Sequence, residues 1–135
     1  MAIFIDTGIF VALRNADDEL HARSEELMRN ALKGGFGRIC TSDYVVDEAI
    51  TTALMRTKRH DLAIDLGTYI IESPRITRLW ITEDSFEMAW GKFKAFSDKP
   101  LSFTDCASLA LMEKNRIKQI MSFDSGFDGL VQRIY

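Results

Sequence analysis

Cysteine and histidine are scarce in this sequence. The two cysteines, Cys40 and Cys106, lie far apart and form no C-x-x-C pair. That argues against a disulfide framework or a zinc site, and points to a reducing compartment, the cytoplasm. The two histidines, His21 and His60, are not spaced as metal ligands and read as surface residues. No run of about 18 apolar residues occurs, so no segment is expected to span a membrane. The N-terminal MAIFIDTG has neither a basic leader nor a long apolar region, so no export signal is expected. Excess positive charge is also missing. A net charge of −3 argues against a uniformly basic coat for nucleic acid. No repeat, linker or low-complexity tract divides the 135 residues, and a single domain over 1–135 is expected.

What is present is an ordinary globular composition, 47% apolar and 27% charged. AIFIDT (2–7) reads as a buried strand, and GIFVALRNADD follows as a helix that Thr7 is placed to cap. Residues 21–33 have helical spacing and stop at GGFG. RICTS (38–42) reads as a second strand, after which Ser42 or Asp43 starts a helix through YVVDEAITTALMRT. HDLAIDLGTYIIES is a further helix, ended before Pro74. RITRLWITED alternates as a third strand. Phe86, Ala89, Trp90, Phe93 and Phe96 then form a helical stripe, expected in the core rather than as a stacking platform. A helix over 102–115, a strand in KQIMSFD, a GFDG turn and a terminal strand VQRIY complete the chain. Short strands separated by helices predict an α/β fold: a three-layer α/β/α domain with a mainly parallel central sheet.

In such sheets ligands bind beyond the carboxyl ends of the strands, where strand order reverses. Acids sit at these places. Asp6 ends the first strand, Asp124 follows IMSF, and Asp105 lies in the first turn of the helix before that strand. Glu48 lies in the helix after RICTS, with Asp43 and Asp47 nearby. Each alone has a plain role as a turn or cap residue or as a partner of the helix dipole. Together at one sheet edge they repel one another, and a cation would neutralise them. Oxygen donors without a His or Cys cluster select Mg²⁺ or Mn²⁺ over zinc. Such an ion suits phosphodiester chemistry, because it activates water and offsets charge developing at phosphorus. Two basic clusters, Arg56-Lys58-Arg59-His60 and Lys114-Arg116-Lys118, would hold a substrate backbone; solvated helix ends are the alternative. Periodicity leaves Asp47 and Glu48 unresolved. Val46, Ala49, Ile50, Ala53 and Leu54 form one stripe, while Glu48 shares a partly apolar face with Val45, Thr52 and Met55.

The ordered set FIDTGIFVAL, TSDYVVDEAIT, LSFTDCASLALMEK and IMSFDSGFD resembles the PIN-domain family, and within it the small VapC-type ribonuclease toxins and their stand-alone relatives. The resemblance covers the whole chain. It implies a Mg²⁺- or Mn²⁺-dependent ribonuclease whose four acids match Asp6, Glu48, Asp105 and Asp124. Thr7, Ser102 and Thr104 match the family's hydroxyl residues beside these acids, and Asp128 is a candidate outer acid. It also implies a homodimer and a cognate antitoxin protein as partners, with RNA as substrate. Two other readings stand beside it. A signalling receiver would carry adjacent acids after the first strand and a lysine near the last, whereas FIDTG offers one acid and VQRIY no lysine. A non-catalytic RNA- or protein-binding module would be poorly served by four carboxylates facing phosphate.

Overall fold

The computed structural model describes residues 1–135. Its five strands are β1 (Ala2–Ile5), β2 (Arg38–Ser42), β3 (Ile76–Leu79), β4 (Gln119–Met121) and β5 (Gln132–Ile134). They form one sheet in the order β3-β2-β1-β4-β5, and every neighbouring pair is parallel. Phe4 lies between Cys40 on one side and Ile120 on the other, so β1 is central. Its Ile3, Phe4 and Ile5 have no exposed surface. A central parallel strand is covered on both faces, which is why its sequence is a continuous apolar run rather than an alternation.

Six helices cover the faces: α1 (Thr7–Arg14), α2 (His21–Leu32), α3 (Asp43–Thr57), α4 (His60–Ile71), α5 (Glu83–Ala95) and α6 (Phe103–Lys114). A short 3₁₀ turn spans Ser125–Phe127. The resulting α/β/α arrangement is the one expected from the sequence. Helix α6 buries every residue from Asp105 to Met112, so it is enclosed on all sides. Helix α4 lies close on α3 through Gly67, where an added Cβ would come 2.9 Å from Ile50 Cδ1. Gly37 has φ +78 where the chain enters β2, and a Cβ there would collide with the Met1 carbonyl.

Four local expectations are revised. The residue capping α1 is Asp6, with Thr7 the first helical residue and no side-chain capping bond. Strand β3 stops at Leu79, short of the alternating pattern, and Trp80 lies exposed beyond it. His21 is held rather than free at the surface: its Nδ1 lies 2.9 Å from the Ala12 carbonyl and its Nε2 3.1 Å from Glu25. The largest revision is in α5. Phe86, Trp90 and Phe93 are not core but are 46, 50 and 42% exposed. The inward face instead carries Ser85 and Ala89, with Met88, Lys92 and Phe96 half-buried. Two polar anchors set this rotation. Ser85 is buried because it closes a capping box with Thr82, and Lys92 reaches Glu113 of α6 at 3.0 Å.

Candidate active site

The order β3-β2-β1-β4-β5 puts the reversal of strand order beside β1, between it and β4. A ligand crevice is expected beyond the carboxyl ends of those two strands. A cleft of ≈ 520 Å³ lies there, lined by Asp6, Glu48, Asp105 and Asp124 together with Thr7 and Ser102. Residues up to 118 positions apart in sequence thus meet at one opening.

Each acid is placed by a separate local device. Asp6 follows β1, and its N–H donates to the Met121 carbonyl at 3.0 Å, which continues the β1–β4 ladder by one bond. Thr41 fixes the preceding residue, its hydroxyl donating to the Ile5 carbonyl at 2.9 Å. Asp105 is the third residue of α6 and completes a capping box. The Ser102 N–H donates to Asp105 Oδ2 at 2.9 Å, and the Asp105 N–H donates to Ser102 Oγ at 3.0 Å. Asp124 caps the 3₁₀ turn by accepting from the Gly126 N–H at 2.8 Å. Glu48 reaches the cleft from α3, where Thr52 and Arg56 line the same wall one and two turns on. Asp47 is exposed and lies outside the cleft, so of this pair it is Glu48 that lines it.

Electrostatics mark the cleft as strained for bare carboxylates. Asp6 is only 6% exposed. Burial, reinforced by the nearby Asp105 and Glu48, pushes its pKa up to about 7 against the pull of a Ser122 hydrogen bond. Burial also raises the Asp105 carboxyl, with Asp124 and Glu48 adding to the effect. Two buried oxygens, Asp6 Oδ1 and Thr7 Oγ1, have no hydrogen-bond partner. An unpartnered buried carboxylate oxygen is costly unless a cation meets it. The donors are all hard oxygens, and they fit Mg²⁺ or Mn²⁺ rather than zinc. The four acids line one cleft, but no three His, Cys, Asp or Glu side chains stand close enough to hold one ion among them. A Mg²⁺ ion there would take one or two carboxylates directly and keep waters between itself and the others.

The other predicted residues divide. Arg56 lines the cleft; Lys58 and Arg59 do not. Lys58 is the left-handed cap of α3 at φ 58, and Arg59 is tied to Asp61 at 2.7 Å. Thr104 is half-buried outside the cleft lining. Asp128 is exposed and held by the Arg133 guanidinium at 2.6 Å. Sequence reasoning missed Ser122. It has no exposed surface, and its hydroxyl donates to Asp6 Oδ2 at 2.6 Å while accepting from the Asp124 N–H at 3.0 Å. It therefore links two of the acids. The available signal was a hydroxyl residue two positions before an Asp at a strand end, the spacing of a side-chain turn.

Comparison with known proteins agrees with this architecture. The family model described as PIN domain matches residues 3–131. A VapC ribonuclease of Archaeoglobus fulgidus is 30% identical over 128 residues, which is 94% of this chain and 80% of that protein. The 23S rRNA-specific endonuclease VapC20 of Mycobacterium tuberculosis is 30% identical over 126 residues, 93% of this chain and 91% of its own length. The crystal structure of that VapC20, a Sarcin-Ricin loop cleaving toxin, matches with a TM-score of 0.82 at 28% identity, over 93% of this chain and 92% of that one. VapBC2 from Rickettsia felis, bound to a promoter DNA fragment, shares the fold at a TM-score of 0.69 and 12% identity, over 99% of this chain and 98% of that one. With the model covering nearly its whole length, the chain belongs to the PIN domain family.

Proposed function

We propose that the chain is a divalent-metal-dependent endoribonuclease, the toxin component of a toxin–antitoxin pair, with RNA as substrate and a cognate antitoxin and a second copy of itself as protein partners. The observation that carries the chemistry is the convergence of Asp6, Glu48, Asp105 and Asp124 on one cleft beyond the carboxyl ends of β1 and β4. The ribonuclease names of the two relatives support the substrate class.

Asp6, Glu48, Asp105 and Asp124 would hold Mg²⁺ or Mn²⁺. A divalent ion bound there would polarise a phosphoryl oxygen and make water nucleophilic at neutral pH. The chain's own groups do the rest. Asp6 and Thr7 line the cleft, each with a buried oxygen that has no partner, Oδ1 and Oγ1, while Ser122 donates to Asp6 Oδ2 at 2.6 Å. Asp105 is oriented by its bonds to Ser102. Arg56, at the far end of the α3 wall, supplies the cleft's guanidinium for the RNA phosphate. The carboxylates would otherwise repel that phosphate, so the cations set both the approach and the register of the backbone.

The test is incubation of a total-RNA pool with purified protein in Mg²⁺ or Mn²⁺, with EDTA as control, and mapping of the new ends. Discrete metal-dependent ends, lost in Asp6→Asn and Asp105→Asn, are expected. Cleavage that persists in EDTA or in either folded variant would overturn the proposal. Ends within 23S rRNA would give it the target class for which VapC20 is named.

A further inference from the structure

Gly8 is a glycine with no backbone reason to be one. It is the second residue of α1, and its φ is not positive. Crowding does not demand it either. Outside its own helix, an added Cβ would meet only Phe123 Cδ2, at 3.9 Å, an ordinary van der Waals contact. Glycine is the poorest helix former after proline, so alanine would serve α1 better. What the missing side chain leaves is open space against the Phe123 ring, and both residues line the cleft.

Packing does not use the whole of Phe123. Part of its surface rests on the hydrophobic core, which holds the ring in place, and part lines the cleft. It is the only aromatic residue in the cleft wall, and none of the ring–ring pairs of the fold includes it. Its chain neighbours are Ser122 and Asp124, while Gly8 follows Asp6 and Thr7. The 2.6 Å bond from Ser122 to Asp6 ties the two segments together, so the ring and the glycine flank the acids. Thr7 lines the same wall, is 8% exposed, and has a hydroxyl oxygen without a partner. That marks the stretch beside Gly8 as one that meets polar ligand atoms. A flat group with an apolar face and hydrogen-bonding edges fits such a wall, and a nucleobase is one.

We propose that the Phe123 ring is the stacking platform for one unpaired base of the RNA, the base beside the phosphate that the acids receive, and that Gly8 keeps the ring open to it. The assignment rests on the ribonuclease reading of the same cleft and names the contact that sets the register of the substrate. Phosphate contacts alone let a strand slide, whereas a base seated on a ring fixes which phosphate meets the acids. Stacking accepts every base, because each has a π face, and it favours the purines through their larger overlap. A base inside a duplex has both faces covered by its neighbours. The platform therefore selects a nucleotide splayed out of a loop or single strand.

Fluorescence anisotropy tests it without reference to cleavage. The probes are a labelled oligouridylate with one central adenosine and the same RNA made abasic at that position. Ca²⁺ replaces Mg²⁺, to neutralise the carboxylates without turnover. The wild-type chain is expected to bind the adenosine RNA at least about fivefold more tightly than the abasic one. Phe123→Leu, which keeps an apolar contact with the core, should bind both RNAs alike, and Phe123→Trp should keep the preference. Gly8→Leu should lose it too while melting no lower than wild type, because a good helix former replaces a helical glycine in open space. Equal binding of both RNAs by the wild-type chain, or a preference that survives Phe123→Leu, would overturn the platform. A Gly8→Leu variant that melts lower would overturn the part given to Gly8. A wild-type chain that binds neither RNA would overturn the RNA reading of the cleft together with the platform. Cleavage, measured separately in Mg²⁺, judges the ribonuclease assignment.

Discussion

Asp6 shows how the same residue serves and weakens the fold. Its carboxyl titrates near 3.8 in an unfolded chain and near 7 in the folded one, so the folded state holds the proton more tightly. Its favourable contribution is complete below about pH 4 and is lost as pH rises through 7, a swing on the order of a few kcal/mol. In chelator, Asp6→Asn should therefore melt higher than wild type at pH 8, with the gap closing towards pH 4. Thermal melts at both pH values, paired with a cleavage assay in which the variant is inactive, check this. A variant less stable than wild type at pH 8 would contradict it. Ser122 has a complementary part. Ser122→Ala removes the donor to Asp6 Oδ2 and the acceptor of the Asp124 N–H. It should cost about 1–3 kcal/mol and most of the cleavage rate, while Ser122→Thr restores the rate. A variant that loses stability but keeps its rate and pH profile would limit Ser122 to a structural role.

At the scale of elements, α6 joins capping to chemistry. Its Ser102–Asp105 box satisfies two orphan groups of the helix start, and the same carboxylate faces the cleft. Ser102→Ala should cost about 1 kcal/mol, lower Tm by a few degrees and reduce cleavage, with Ser102→Thr restoring both. Melting and rate measured on the same preparations decide it, since a loss of stability alone would detach the cap from the site. The strand-end acids could be read from sequence because an apolar run that stops at Asp fixes where the carboxylate emerges. Asp105 could be read because an S-x-x-D box sets its turn. Glu48 could not be separated from Asp47, since α3 buries both Val45 and Val46 and so has no single inner face. The phase of α5 was hidden for a related reason. Ser85 turns inward through its cap with Thr82 and Lys92 through an ion pair to Glu113 of α6, while the rings Phe86, Trp90 and Phe93 that periodicity assigns to the core are exposed. Asp128 and Arg59 were drawn away by local ion pairs, to Arg133 and Asp61, whose geometry residue spacing does not reveal.

For the whole molecule, the proposed metal site would make cation binding and folding one equilibrium. The cleft exists only in the folded chain, so Mg²⁺ or Mn²⁺ should raise Tm, by about 2.7 kcal/mol of stability when free ion reaches a hundred times Kd. Calorimetry in increasing metal measures this, and Asp105→Asn should lose most of the shift; a wild-type Tm unmoved by metal would count against the site. The sheet order has a further consequence for the timing of activity. Asp6 depends on Ser122, 116 positions later, and on a ladder with Gln119–Met121. A chain emerging from a ribosome presents Asp6 and Glu48 well before, and Asp105 shortly before, the strand that aligns them. A nascent polypeptide stalled ahead of residue 119 would therefore carry three of the four acids and cut nothing. Alignment of the four acids is thus a late event in building the fold, completed only when β4 has joined β1.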